Sequence, residues 1–234
     1  MKGKIIDKKE IATGTLQVTF AAAEPFTFKA GQYVFVTLIN PPYFDERSSK
    51  RHFSIVNSPD EKGIITIATR LRDSGFKKSL KELPVGAEVE LGSISGSFVL
   101  PDDTAKPLVF IAGGIGITPY MSMLKYAAEN KLPYRITLVY SNRDSSSSAY
   151  LQELANFKAQ MSNFKLILTM TEDPDWSGEK RKIDAGFIKE YFPDLNENLY
   201  FVVGPPPMVE AVQKALLEAG VDIENISIEN FTGY

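Results

Sequence analysis

The stretch LVFIAGGIGITP, residues 108–119, is where the character of the chain changes. Its first five residues are apolar without a break, the pattern of a strand buried on both faces of a parallel sheet. Gly113, Gly114 and Gly116 then form a turn. Thr118 reads as the cap of a helix and Pro119 as its first residue, where the missing N–H of proline costs nothing. A strand, a glycine turn and a helix start together offer an anion exposed N–H groups and the positive end of a helix dipole. The glycines let the backbone approach a pyrophosphate with no Cβ in the way. The motif is not G-x-G-x-x-G, because Pro119 stands at the third glycine, and no G-K-[ST] follows to make a P-loop.

Downstream, strand and helix patterns alternate. Residues 135–140, 164–170, 199–203 and 226–231 read as strands, and 150–161, 185–191 and 208–219 as helices. Such alternation predicts an α/β domain with a parallel sheet over 107–234. A second turn, VVGPPPMVEAV, closes a strand and opens a helix with three rigid prolines. Ligands of open α/β sheets lie at the carboxyl ends of the strands, so Gly114 and Gly204 are expected to border one crevice. The run Ser145 to Ser148 reads as a flexible loop.

Upstream the pattern is different. Short β-rich runs at 11–20, 32–39, 52–56, 63–70, 88–91 and 98–100 are separated by Gly/Pro turns, which predicts a small antiparallel barrel or sandwich over 1–101. A single helix interrupts them, capped by Ser74, with Phe76, Leu80 and Leu83 on its apolar face. In RDSGFKKSL, backbone N–H groups with Lys77 and Lys78 make a second candidate phosphate site. The segment PDDTAKP, 101–107, reads as a linker. The expected fold is therefore α+β and two-domain: an antiparallel β-barrel, then an α/β parallel-sheet domain.

The 234 residues carry 26 Lys and Arg against 29 Asp and Glu, a net charge of −3. That balance argues against nucleic acid as a partner, since phosphate neutralisation needs a basic face. There are no cysteines, which removes disulfides, thiolate metal sites, cysteine nucleophiles and a chain-borne iron–sulfur cluster. One histidine, His52, rules out a histidine metal cluster, so no metal site is expected. No apolar run reaches the roughly 18 residues that span a bilayer, and the N-terminus lacks a signal-peptide core. The expectation is a cytoplasmic protein that inserts in no membrane.

Taken in order, these segments resemble the ferredoxin–NADP reductase superfamily over nearly the whole chain. Arg51-His52-Phe53-Ser54 is similar to its R-x-Y-S flavin motif, and Ser74 to Lys77 to its diphosphate turn. The run 92–98, GSISGSF, is similar to the G-P-x-G-x-F segment ending the barrel. GGIGITP at 113–119 matches the dinucleotide turn, Gly204-Pro205-Pro206-Pro207-Met208 the C-G-P-P-P-M segment without its cysteine, and Glu229-Asn230-Phe231 the terminal acid-x-aromatic. The resemblance implies FAD, in preference to FMN, between a flavin barrel and an NAD(P)-binding domain, and NADPH or NADH as reductant. It implies that Arg51 binds flavin phosphate and Ser54 lies near flavin N5. Lys77 and the N–H groups of Gly75 and Phe76 would take the diphosphate. Phe231 would cover one ring face, and Glu229 would lie near the nicotinamide; Ser54, Glu229 and Phe231 are the catalytic candidates. The cofactor-binding set further includes His52, Phe53, Arg70, Ser74, Gly113, Gly114, Gly116, Thr118, Pro119, Arg143, Gly204, Pro205 and Met208. The sequence departs from the family at Phe53, which lacks the usual tyrosine hydroxyl, at Val203, where a cysteine is usual, and at both ends of the 74–77 turn. The missing cysteine predicts slower hydride transfer, not its loss.

The implied function is an FAD-dependent NAD(P)H oxidoreductase with an unidentified acceptor, which a redox protein would satisfy. Two rivals stand beside it: an electron-transfer subunit active only with a redox partner, and a flavin reductase using free flavin as substrate. No acid ends the second strand of the α/β domain, whereas Arg143, with Arg181 or Lys182, could meet a 2′-phosphate; this tips the nucleotide slightly toward NADPH. His52 also reads as a surface residue, Trp176 as a loop anchor, Glu179 to Lys182 as a solvated face, and Met121 and Met123 as packing residues.

Overall fold

The computed structural model describes residues 1–44 and 49–231. The chain divides into two compact units, one of residues 1–100 with 118–126, the other of residues 101–117 with 127–234.

The first unit holds strands β1 (Lys2–Ala12), β2 (Thr15–Ala22), β3 (Tyr33–Leu38), β4 (Lys50–Ser54), β5 (Ile64–Arg70) and β6 (Glu88–Ser95), with helix α1 (Gly75–Glu82) between the last two. They form a six-stranded sheet in the order β4-β3-β6-β1-β2-β5. Every pairing is antiparallel. Alternate residues point inward, and Val18, Phe20, Val34, Val36, Ile67, Val89 and Leu91 build the core with Phe76 and Leu80 of α1.

Two strand expectations need correction. Residues 11–20 are not one strand: they straddle the β1–β2 hairpin, whose turn has Gly14 at φ 67°. The first strand escaped notice because KGKIIDKKEIA points mostly outward, with only Gly3 and Ile5 buried. Residues 98–100 form no strand. Helix α1 begins as expected, the Ser74 hydroxyl accepting from the Lys77 N–H at 3.2 Å. Its far end is held by the Lys8 ammonium, which donates to the Leu83 carbonyl at 2.6 Å.

Helix α2 (Thr118–Glu129) contributes its first turns to this unit. Ser122 donates to the Asn57 carbonyl at 2.7 Å, and the Tyr120 ring lies 6.0 Å from that of Phe98. Gly31, at φ 101°, is obligatory here: a Cβ would lie 2.2 Å from the Phe98 carbonyl oxygen and 2.4 Å from Met123.

The second unit contains β7 (Leu108–Gly113), β8 (Ile136–Asn142), α3 (Leu151–Gln160), β9 (Phe164–Met170), α4 (Ala185–Tyr191), β10 (Leu199–Gly204), α5 (Pro206–Ala219) and β11 (Ile226–Asn230). Its five-stranded sheet has the order β11-β10-β7-β8-β9. All pairings are parallel, and the central strand β7 is buried along its whole length. Ile183, Phe187, Ile188, Val209, Val212 and Leu216 cover one face of it. The 101–107 segment is tied to this unit by the Tyr134 hydroxyl, which donates to the Pro101 carbonyl at 2.6 Å.

Two local readings change. Gly114–Ile117 is a 3-10 turn running straight into α2, so Thr118 is a helical residue and not a cap. The serine run is no open loop, because Asp144 Oδ1 accepts from the Ser146 hydroxyl at 2.7 Å and the Ser147 N–H at 2.8 Å. Among the described residues no helix is long and apolar enough to cross a membrane.

Candidate functional site

In the first unit, the alternation of β4 separates its motif residues by face. Arg51 and Phe53 share one side, opposite Val36 and Val34 in register. The Phe53 ring lies 5.6 Å from that of Phe76, and the Arg51 guanidinium sits 5.4 Å above the same Phe76 ring. His52 points the other way, exposed, its ring 5.4 Å from Tyr33 and 5.8 Å from Phe35. It therefore does not join Arg51 and Phe53, in keeping with a surface residue. Ser54 ends the strand, buried and in register with Tyr33. Arg70 closes β5 opposite Thr15.

The start of α1 gathers positive charge. Lys77 is only 7% exposed. Burial, then the neighbouring charges of Arg72 and Arg51, pulls its ammonium down to about 8. Asp73, the nearest acid in sequence, is engaged by Lys78 at 2.8 Å. Ser74 and Gly75 supply the helix start, and helix geometry directs the first N–H groups out of that end. Arg72 is a member of this group that the motif reading missed. Its only signal was being one of four basic residues within RLRDSGFKK.

In the second unit the glycines do different work from that expected. A Cβ on Gly113 would lie 2.0 Å from Met208 Sδ, and one on Gly116 would lie 2.6 Å from the Val203 carbonyl oxygen. A Cβ on Gly204 would stand 3.1 Å from the same sulfur and 3.3 Å from Gly113 Cα. The bare backbones at 113, 116 and 204 thus let the turn after β7 press against the turn after β10. Gly204 meets Gly113, the residue before the Gly114 expected to border a crevice with it. Gly114 takes φ 54°, the left-handed region. Pro119 is buried and Pro205 exposed, the latter immediately preceding α5.

At the same carboxyl end of the sheet, Glu229 lies in register with Val203, and the Phe231 N–H donates to the Gly204 carbonyl at 3.0 Å. Burial raises the Glu229 carboxyl to about 7, and its Oε2 is enclosed with no bonded partner among the described residues. The end of β8 presents exposed Arg143 after a buried Asn142. Arg181 does not stand ready for a phosphate. It donates to Glu179 at 2.6 Å and Glu190 at 2.8 Å, and holds the Glu179 carboxyl down at about 2. The 179–182 run is thus a paired network in part, beyond a merely solvated face. Trp176 anchors its loop by donating to the Glu179 carbonyl at 3.1 Å.

An antiparallel barrel-like sheet with a cationic helix start, and a parallel sheet whose glycine and proline turns meet at its carboxyl edge, are the two halves of the ferredoxin–NADP reductase fold. Residues 110–214 match the family model of the oxidoreductase NAD-binding domain. The gamma subunit of sulfhydrogenase 1 from Pyrococcus furiosus is 30% identical over 209 residues, covering 88% of this chain and 69% of that protein. The reductase component of phenol 2-monooxygenase from Pseudomonas sp. strain CF600 is 29% identical over 212 residues, covering 88% of this chain and 58% of that protein. A ferredoxin NADP+ reductase from Neisseria gonorrhoeae, solved with bound FAD and NADP, superimposes with TM-score 0.82 at 20% identity, covering 98% of each chain. The chain belongs to the ferredoxin–NADP reductase-like oxidoreductases, whose members bind FAD and NAD(P)H. It spans about half to three-fifths of the length of many curated relatives it matches.

Proposed function

We propose that this chain is an FAD-dependent NAD(P)H oxidoreductase that accepts hydride from a reduced nicotinamide and passes the electrons to a separate acceptor. The observation that carries it is the charge at α1: Lys77, buried and pulled down to about 8, has Arg72 and Arg51 as the neighbours that shift it. A buried ammonium beside two guanidinium groups is costly alone and becomes favourable against a polyanion. The donor set therefore fits a flavin diphosphate.

When bound, the flavin supplies the hydride-accepting ring, and the protein's part is binding and orientation. Arg51 offers a planar fork to phosphate. Ser54 offers a neutral hydroxyl donor from the end of β4. Phe231 offers an aromatic face at the end of β11. Glu229, raised to about 7, can hold a proton at neutral pH in the second unit. The turn from Gly113 through Pro119, with Gly204, Pro205 and Met208, shapes the nucleotide crevice, and Arg143 borders it.

Several relatives are named as reductase components or subunits of oxygenases. That favours a redox protein, supplied by another chain or domain, as acceptor over free flavin. In the test, the purified protein is expected to be yellow and to bleach anaerobically on addition of NADH or NADPH. Bound flavin that neither nucleotide bleaches would sink the assignment.

A further inference from the structure

We infer that the second unit is built for a dinucleotide with a free ribose 2′-hydroxyl, NADH rather than NADPH, and that Glu172 is the residue that selects it. This rests on the nicotinamide reading above and names the substrate within it.

In doubly wound sheets the carboxyl end of the second strand meets the adenosine ribose, where an acid accepts from the 2′-hydroxyl or an arginine meets a 2′-phosphate. Here the second strand of the unit, in chain order, is β8. No acid terminates it, and its end offers Arg143. The neighbouring strand supplies the missing group. Two backbone hydrogen bonds lie beyond the last paired residues of β8 and β9: the Thr171 N–H donates to the Asn142 carbonyl at 2.9 Å, and the Glu172 N–H donates to the Arg143 carbonyl at 2.8 Å. Glu172 is therefore held beside Arg143, and both side chains are exposed. A carboxylate at this place accepts from a hydroxyl and repels a phosphate dianion.

The surrounding charges agree. A 2′-phosphate needs cations, yet Arg181 is spent on Glu179 and Glu190. The Lys180 ammonium donates to the Pro174 carbonyl at 3.0 Å. Asp173 and Asp175 follow Glu172, and Asp173 accepts from the Ser145 hydroxyl at 2.8 Å, which brings its negative charge toward the 143–145 segment. Lys182, exposed, is the remaining cation of that loop.

A second observation is independent of charge. Asn142 is 6% exposed, and both its carboxamide nitrogen and oxygen are buried without a bonded partner among the described residues. A carboxamide needs an acceptor and a donor together. Ribose hydroxyls supply both, so this carboxamide marks the end of β8 as a place for a ribose, and the choice at the 2′ position falls to Glu172.

Isothermal titration of the flavin-loaded full chain with ADP-ribose and with 2′-phospho-ADP-ribose tests this without redox turnover. ADP-ribose is expected to bind at least about tenfold more tightly. In Glu172→Gln, which keeps shape and removes charge, the gap should shrink to about threefold or less, chiefly through tighter binding of the phosphorylated ligand. Tighter binding of 2′-phospho-ADP-ribose by the native chain would overturn the inference while leaving the oxidoreductase reading intact. So would an unchanged ratio in Glu172→Gln, which would return selection to Arg143 and Lys182. Binding of neither ligand would overturn both.

Discussion

At the scale of single residues, the most informative group is Lys77. Its position three residues past a capping serine was legible in RDSGFKKSL, and so was its suitability for phosphate. Its burial was not, because a side chain's exposure is set by tertiary packing that its neighbours along the chain do not announce. With its ammonium pulled down to about 8 by burial and by Arg72 and Arg51, the sign of a pH effect follows. Below that value Lys77 is charged and attracts the flavin diphosphate. As pH rises through about 8 the free protein loses that charge, so FAD affinity should fall. Lys77→Met should weaken FAD binding at neutral pH by about tenfold, the worth of one charge-assisted hydrogen bond, and should abolish the fall above pH 8. Recovery of flavin fluorescence on dilution measures both. A variant with native affinity and native pH dependence would remove Lys77 from the site. Arg143 and Glu172 show the opposite limit. Arg143 was noticed because it ends a recognisable strand, while Glu172 acquires meaning only from the hydrogen bond that sets it beside that strand.

At the scale of elements, the glycine turn after β7 was the sharpest signal in the chain, and its stated cause was incomplete. Gly113 and Gly116 are bare because the β10 turn lies against them. Gly116→Ala would drive a Cβ to 2.6 Å from the Val203 carbonyl oxygen and 3.1 Å from Gly204 Cα, both backbone atoms that cannot swing aside. The strand end must move, and a cost of about 1–3 kcal/mol is expected, as for overpacking elsewhere. Urea unfolding should show a lower midpoint with an unchanged slope. An alanine variant of native stability would mean that the two turns are not in contact. The β1–β2 hairpin teaches a related lesson. Alternation identifies a strand when one face is core, and β1 keeps only Gly3 and Ile5 buried, so its residues carry no strand signal of their own.

At the scale of the whole molecule, ligand and fold are linked. A cofactor that binds the folded chain and not the unfolded one adds about 2.7 kcal/mol at a hundredfold excess over its dissociation constant. For a chain of this size that corresponds to roughly 5–10 °C. Protein stripped of flavin should therefore melt earlier, and added FAD should restore the difference, as followed by circular dichroism. A melting temperature indifferent to FAD would argue against a resident flavin. The division of the chain also belongs here. The change of pattern at 101–107 was visible from its prolines and aspartates, and the second unit starts at Pro101, yet residues 118–126, which follow the first strand of that unit, pack within the first. No local pattern distinguishes a helix that covers its own sheet from one that leaves it, since both are apolar on the buried side.

From sequence alone came the order of a β-rich half and an alternating α/β half, the phosphate-type turns, and the exclusion of thiol and histidine-metal chemistry, because periodicity, glycine, proline and residue counts are local quantities. Tertiary structure alone decided which cations stand together at α1, which arginine is already spent on acids, and which carboxylate lies beside the end of β8. Those depend on residues far apart in the chain being brought within a few ångströms, and electrostatic character is set by such neighbours rather than by residue type.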